Sequence, residues 1–168
     1  RVTNLIFVLA FFIFNKINTE IVIKNTNKIP IVGGRGSKHN YLINGLSIQF
    51  IDESYNANPE TMIQSIRSFS LIQINKFLKI LILGNMNELG IKTLDLHIKV
   101  IKEIEKHKFD NVILSGDFFK KALSMFHKLK NKYVYKSNSK GIMNYLNKNV
   151  HKKAIIMAKC SNKTEVNK

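Results

Sequence analysis

The stretches LSIQFIDESYNANP, residues 46–59, and LKILILGNMNELG, residues 78–90, share one build: a short aliphatic run, then an abrupt change to Asn, Asp, Glu, Ser and Gly. A strand buried on both faces reads as such a run, and in open α/β sheets ligands gather in the loops beyond the carboxyl ends of strands. Working outward, runs of this kind predict five strands, at 47–51, 79–83, 111–114, 132–135 and 154–158. Between them, 59–73, 93–106, 118–130 and 139–147 carry helical spacing, with Ile63, Ile66 and Ser70 on one face of the first and Leu96, Val100, Ile101 and Ile104 on one face of the second. Strands and helices that alternate at these lengths imply right-handed crossovers, hence an α/β fold with a Rossmann-like, mostly parallel sheet flanked by helices. Pro59 suits the first turn of its helix, because a proline there loses no intrahelical hydrogen bond, and Asn58 before it can act as N-cap.

The 168 residues, 45% of them hydrophobic, suffice for one domain with a real core and are too few for two. Pro30, Gly33, Gly34 and Gly36 punctuate the chain after a polar, Asn- and Lys-rich stretch, so 29–45 reads as a linker between 1–28 and a domain at 46–168. The first residue is Arg1 rather than Met, so a piece of a longer reading frame is expected. Residues 5–14, LIFVLAFFIF, form an apolar run of ten, short of the ~20 that span a bilayer, and a buried helix is the expectation. The formal charge of +16 suggests a polyanion partner. Its distribution argues otherwise: Arg occurs only at Arg1, Arg35 and Arg67, while Lys, Ile and Asn recur throughout, as a coding bias toward A and T produces, and no aromatic or Arg-rich reader pattern is interleaved. No nucleic-acid partner is expected; a basic module that binds nucleic acid or another polyanion is the alternative reading. The single cysteine, Cys160, can form no internal disulfide and has no second thiol for a zinc cluster; it suits a reducing cytoplasm and a buried structural role. No metal site is expected on this chain.

The loop after the first strand places Asp52, Glu53, Ser54, Tyr55, Asn56 and Asn58 ahead of a helix N-terminus, where anions are favoured. The plainer reading is that Asp52, Ser54 and Asn58 cap the helix and tie the loop to itself. His97, taken alone, reads as a capping or surface histidine.

The string IDESYNANP closely resembles the Asp-Asp-Ser-Tyr-Asn-Ala-Asn-Pro motif of the MurF family, with Glu53 in place of the second Asp. LGNMNELG resembles that family's Leu-Gly-Asp-Met-x-Glu-Leu-Gly at the matching spacing, with Asn85 where Asp is usual, and His97 falls where the family places a histidine. Gly34-Arg35-Gly36 is similar to its interdomain Gly-Arg-Gly, and Lys159-Cys160-Ser161 to its Lys-Gly-Ser. Asn4 and the apolar run after it look similar to the last helix of the family's central domain. The resemblance covers nearly the whole chain.

What it implies is a ligase of cell-wall peptidoglycan synthesis, with the associated roles in cell shape and division. ATP phosphorylates the terminal carboxylate of UDP-N-acetylmuramoyl-tripeptide, and the amine of D-alanyl-D-alanine attacks the acyl phosphate. Magnesium offsets the phosphate charge, and the C-terminal domain closes over the central one. On the matching positions, Arg35, Glu53, Ser54, Tyr55, Asn56 and Asn58 would bind the nucleotide. Asn85, Met86, Glu88, Lys159 and Ser161 would line the substrate side of the same cleft. The implied enzyme is cytoplasmic and monomeric. Because no Gly-x-x-Gly-Lys-Thr/Ser loop occurs, the ATP-phosphate and metal sites are expected outside these residues, with no catalytic residue on them and no ligation by this chain alone.

Overall fold

The computed structural model describes residues 2–28, 32–74, 76–126 and 132–161. The chain divides into two compact units, 1–31 and 32–168.

Among the described residues the first unit holds two α-helices, α1 (Val2–Phe14) and α2 (Glu20–Asn25). Lys16, at a φ of 55°, stands in the left-handed region just past the end of α1, a conformation that closes helices. The predicted helix over 5–14 is present, but its burial is not: Ile6, Phe7, Phe11, Ile13 and Phe14 are all exposed. A helix with apolar side chains around its circumference has no face suited to water, so sequence alone reads it as buried.

In the second unit, six strands among the described residues form one sheet in the order β1-β2-β6-β3-β4-β5: β1 (Ser37–Ile43), β2 (Leu46–Asp52), β3 (Leu78–Leu83), β4 (Asn111–Leu114), β5 (Val134–Tyr135) and β6 (Ala154–Lys159). Every pairing is parallel except β1 with β2. The helices are α3 (Pro59–Ser70), α4 (Thr93–Ile104), α5 (Asp117–Ser124) and α6 (Ser139–Asn149). Successive side chains of a strand point to opposite faces. Leu81, Leu83, Ile155 and Met157 therefore pack with α3, α4 and α5, while Ile80, Ile82, Ile156 and Ala158 pack with Ile142 and Leu146 of α6. The α/β, mostly parallel architecture expected from the alternation is the one observed.

Several details differ from the sequence reading. Residues 37–43, inside the stretch read as linker, form β1, and Asn44 and Gly45 at φ of 52° and 75° make the two-residue turn into β2. The buried stripe of α3 is Met62, Ile66 and Phe69, with Ser70 only half-buried; the large aromatic takes the core place in preference to the hydroxyl. The helices α3 and α4 stop at Ser70 and Ile104, before the expected ends at 73 and 106, and α5 closes at Ser124. The last part of the helix expected over 118–130, residues 127–130, lies outside the described residues. The α3 start is as read: Asn58 accepts from the Thr61 N–H at 2.8 Å, its own N–H donates to the Thr61 hydroxyl at 3.2 Å, and Pro59 follows.

Between α3 and α4, the carboxylate of Glu103, 5% exposed, accepts from Arg67 Nε at 2.6 Å and Lys106 Nζ at 2.8 Å, with His107 Nε2 at 3.4 Å. The Arg67 hydrogen bond, then that of Lys106, holds its carboxyl at about 2, below the ordinary 4.5. A carboxyl depressed in the folded state stabilises fully above its unfolded value, and that contribution fades as pH falls from about 4.5 toward 2. We expect Glu103→Gln to cost about 1–3 kcal/mol at neutral pH and little near pH 2, read from urea midpoints across that range. An equal cost at both ends would show that the ionised pair is not what joins the two helices.

Candidate functional site

The strand order sets the site. Because β6 lies between β2 and β3, the loops that leave the carboxyl ends of these three strands stand side by side, although residues 53–58, 84–90 and 160–161 are far apart in sequence.

Hydrogen bonds join the loops into one wall. In the loop after β2, Asp52 Oδ1 accepts from the Ser54 N–H at 2.9 Å and from the Ser54 hydroxyl, so both side chains are committed within the loop, and Ser54 is buried. The Glu53 N–H donates to the Ala158 carbonyl at 2.8 Å. Lys159 Nζ donates to the Asn56 carbonyl at 3.0 Å and lies 3.7 Å from Glu53 Oε2. Burial pushes the Lys159 ammonium below the ordinary lysine value, and the neighbouring Glu53 charge opposes that. Ser161 binds the other two loops together: its N–H donates to the Asn85 carbonyl at 3.1 Å, and its hydroxyl accepts from the Asn87 N–H at 3.0 Å. The same hydroxyl also lies 3.4 Å from the Ala57 carbonyl.

The loop after β3 is anchored from below by His97, which is fully buried against the rings of Phe118 and Phe119. Its Nδ1 sits 2.7 Å from the Thr93 carbonyl, and its Nε2 accepts from the Met86 N–H at 3.1 Å. This fixes a neutral ring that donates from Nδ1, and burial lowers its pKa, with the Thr93 bond opposing. The reading of His97 as a surface or capping residue is therefore corrected. Residues 97, 100, 101 and 104 share one apolar stripe, and that spacing placed His97 in the core.

At the near side, the Tyr55 N–H donates to the Gly34 carbonyl at 2.9 Å, and the Gly36 N–H to the Asp52 carbonyl at 2.6 Å. The Arg35 guanidinium lies over the Tyr55 ring, 4.1 Å from its centre. Gly34, Arg35 and Gly36 thus run against the loop after β2.

Of the residues singled out from sequence, Ser54, Met86, Lys159 and Ser161 are buried, Glu53 and Asn85 are partly buried, and Arg35, Tyr55, Asn56, Asn58 and Glu88 are exposed. Cys160 is buried as expected. The Asn85 side chain lies against Gly116 of the loop after β4, a position that sequence reading passed over, and its Oδ1 is buried without a hydrogen-bond partner among the described residues. Among the described residues no group of three or more His, Cys, Asp or Glu is placed to hold a metal ion. The outward wall is a guanidinium on a phenol ring flanked by amides, which suits a ligand with an anionic or flat aromatic part.

Residues 41–162 match the family model described as Mur ligase, glutamate ligase domain. No curated protein matches the chain. Among solved structures, one of MurF from Acinetobacter baumannii is similar at 22% identity and a TM-score of 0.74, over 96% of this chain and 34% of that one. Another, of the UDP-N-acetylmuramoylalanyl-D-glutamyl-2,6-diaminopimelate–D-alanyl-D-alanyl ligase from the same organism, is similar at 21% identity and a TM-score of 0.71, over 93% and 32%. A MurF ligase from Thermotoga maritima, solved in complex with ADP, is similar at 21% identity and a TM-score of 0.70, over 92% and 33%. The chain spans about a third of the length of these proteins. No described helix is long and apolar enough to cross a membrane.

Proposed function

Because this chain belongs to the Mur ligase family, as its glutamate ligase domain, we propose that it is the C-terminal part of an ATP-dependent peptidoglycan ligase that joins D-alanyl-D-alanine to UDP-N-acetylmuramoyl-tripeptide. The observation that carries this reading is the convergence of the two MurF-like loops and the Lys159-Cys160-Ser161 segment in one hydrogen-bonded wall at the carboxyl end of the sheet. The likeness to MurF structures, one of them an ADP complex, supports it.

Residues 1–28 are assigned to the end of the central ATPase domain and 46–168 to the C-terminal domain; of the stretch 29–45, β1 goes with the sheet. When bound, ATP supplies the phosphoryl group that activates the tripeptide carboxylate. On this chain Arg35 and Tyr55 face the nucleotide, with Asn56 and Asn58 beside them, and Glu88 faces the acceptor side. Glu53, Ser54, Asn85, Met86, Lys159 and Ser161 shape the wall behind them. Magnesium serves the intact enzyme, and among the described residues no group of three or more His, Cys, Asp or Glu is placed to hold it. The intact enzyme works as a cytoplasmic monomer, and the chain by itself does not ligate.

The test joins this chain to the polypeptide that carries the phosphate-binding loop and measures ADP release with UDP-N-acetylmuramoyl-tripeptide and candidate amines. Release is expected with D-alanyl-D-alanine, none from the chain alone, and a fall in kcat/KM of about tenfold or more for Tyr55→Ala. Release with a single amino acid such as D-glutamate, and none with the dipeptide, would assign the chain to a different Mur ligase.

A further inference from the structure

Lys159 combines a charge with a burial that leaves its side chain 4% exposed, so it cannot meet a ligand in the described conformation. Its ammonium is spent on the loop after β2: one hydrogen bond to the Asn56 carbonyl at 3.0 Å and an ion pair of 3.7 Å with Glu53. Taking an ammonium out of water is unfavourable unless it is paired and hydrogen-bonded, and both partners here come from one loop, about a hundred residues earlier in the chain. The same loop carries Tyr55, on which Arg35 lies. Glu53 is partly buried, and its arm reaches back toward β6 while the Tyr55 ring is turned outward, 44% exposed.

We propose that Lys159 is a positioning residue, which binds no substrate itself and fixes the pose of Tyr55 and Asn56 by clamping the Asn56 carbonyl and the Glu53 carboxylate to the end of β6. For the ligase, the proposal rests on the function proposed above. The clamp itself does not depend on that function. A methionine at 159 fills nearly the same volume with no charge, so the sheet stays packed while the clamp is lost. An arginine keeps a charged donor within reach of both partners.

The experiment has two arms. In the 168-residue chain, amide exchange at Tyr55 and Asn56 is expected to speed up about tenfold or more in Lys159→Met and about threefold or less in Lys159→Arg, with amides of β3 and β6 unchanged. Unchanged exchange at both loop positions in Lys159→Met overturns the clamp. In the joined enzyme, Lys159→Met is expected to lower kcat about tenfold while KM for D-alanyl-D-alanine stays within about threefold. Glu53→Gln added to Lys159→Met should lower it little further, because one interaction has already been removed. A rise of about tenfold in that KM with kcat unchanged would make Lys159 a substrate ligand and overturn the proposal. If the joined enzyme ligates nothing, the functional reading falls, and the exchange arm still decides on Lys159.

Discussion

Gly116→Ala is expected to lower the stability of the second unit by about 2–5 kcal/mol, among the larger effects available to one methyl group. Gly116 holds a φ of +97°, which L side chains rarely adopt, and a Cβ there would lie 2.3 Å from Asn85 Cγ. Asn85 has little room to yield, because its backbone carbonyl accepts from Ser161 at 3.1 Å and its side-chain oxygen is buried. Two controls separate the causes. Asn85→Ala combined with Gly116→Ala should recover the steric part and leave the backbone strain. Gly141→Ala in α6, whose Cβ would meet nothing nearer than 3.4 Å, should be neutral or stabilising by up to about 1 kcal/mol. Urea midpoints for the four proteins test this, and equal midpoints for Gly116→Ala and Gly141→Ala would contradict it.

Gly34→Ala should act on binding more than on stability. A Cβ at Gly34, where φ is +74°, would stand 2.6 Å from the Tyr55 backbone nitrogen. The hydrogen bond from Tyr55 to the Gly34 carbonyl must then open, and Arg35 separates from the Tyr55 ring. Gly34 precedes an exposed edge strand, so the core is spared. We expect ADP affinity of the joined enzyme to fall about tenfold or more, equivalent to about 1.4 kcal/mol, by calorimetry. Gly33→Ala, with nothing within 4 Å of its Cβ, should leave affinity unchanged. If Gly34→Ala binds ADP normally, Arg35 and Tyr55 are not the nucleotide's partners.

The legible part of the fold was the part with one dominant physical signal. The strands β3, β4 and β6 are buried on both faces, so their aliphatic runs stand out, while β2 buries Ile48 and Ile51 and carries a weaker run. The strand β1 gives no such signal, since five of its seven residues are exposed and it carries His39 and Asn40; the local mark was Asn44-Gly45, a hairpin dipeptide. The site loops were legible as unusual compositions, and the outward Arg35 and Tyr55 fit that reading. Composition could not divide them into wall and foundation. Lys159 and Met86 look equally available in sequence, but each meets partners that sequence distance hides: Asn56, 103 positions from Lys159, and His97, on the next helix. His97, read from sequence as a surface or capping residue, carried its core signal in the stripe it shares with Val100 and Ile101.

The central place of β6 has a consequence for how the chain comes to be folded. Among the described residues β6 comes last in chain order of the six strands, and it fills the slot between β2 and β3, pairing with both over its length. Until residue 154 has emerged, the β1–β2 hairpin and the β3–β4 pair are two ribbons with open inner edges, each able to recruit a wrong strand from a neighbouring nascent chain. Closing the sheet requires contacts between segments about a hundred residues apart, which makes completion slow and late. Ser161 and Lys159 arrive together with β6, so the wall that joins the three loops assembles only when the sheet closes.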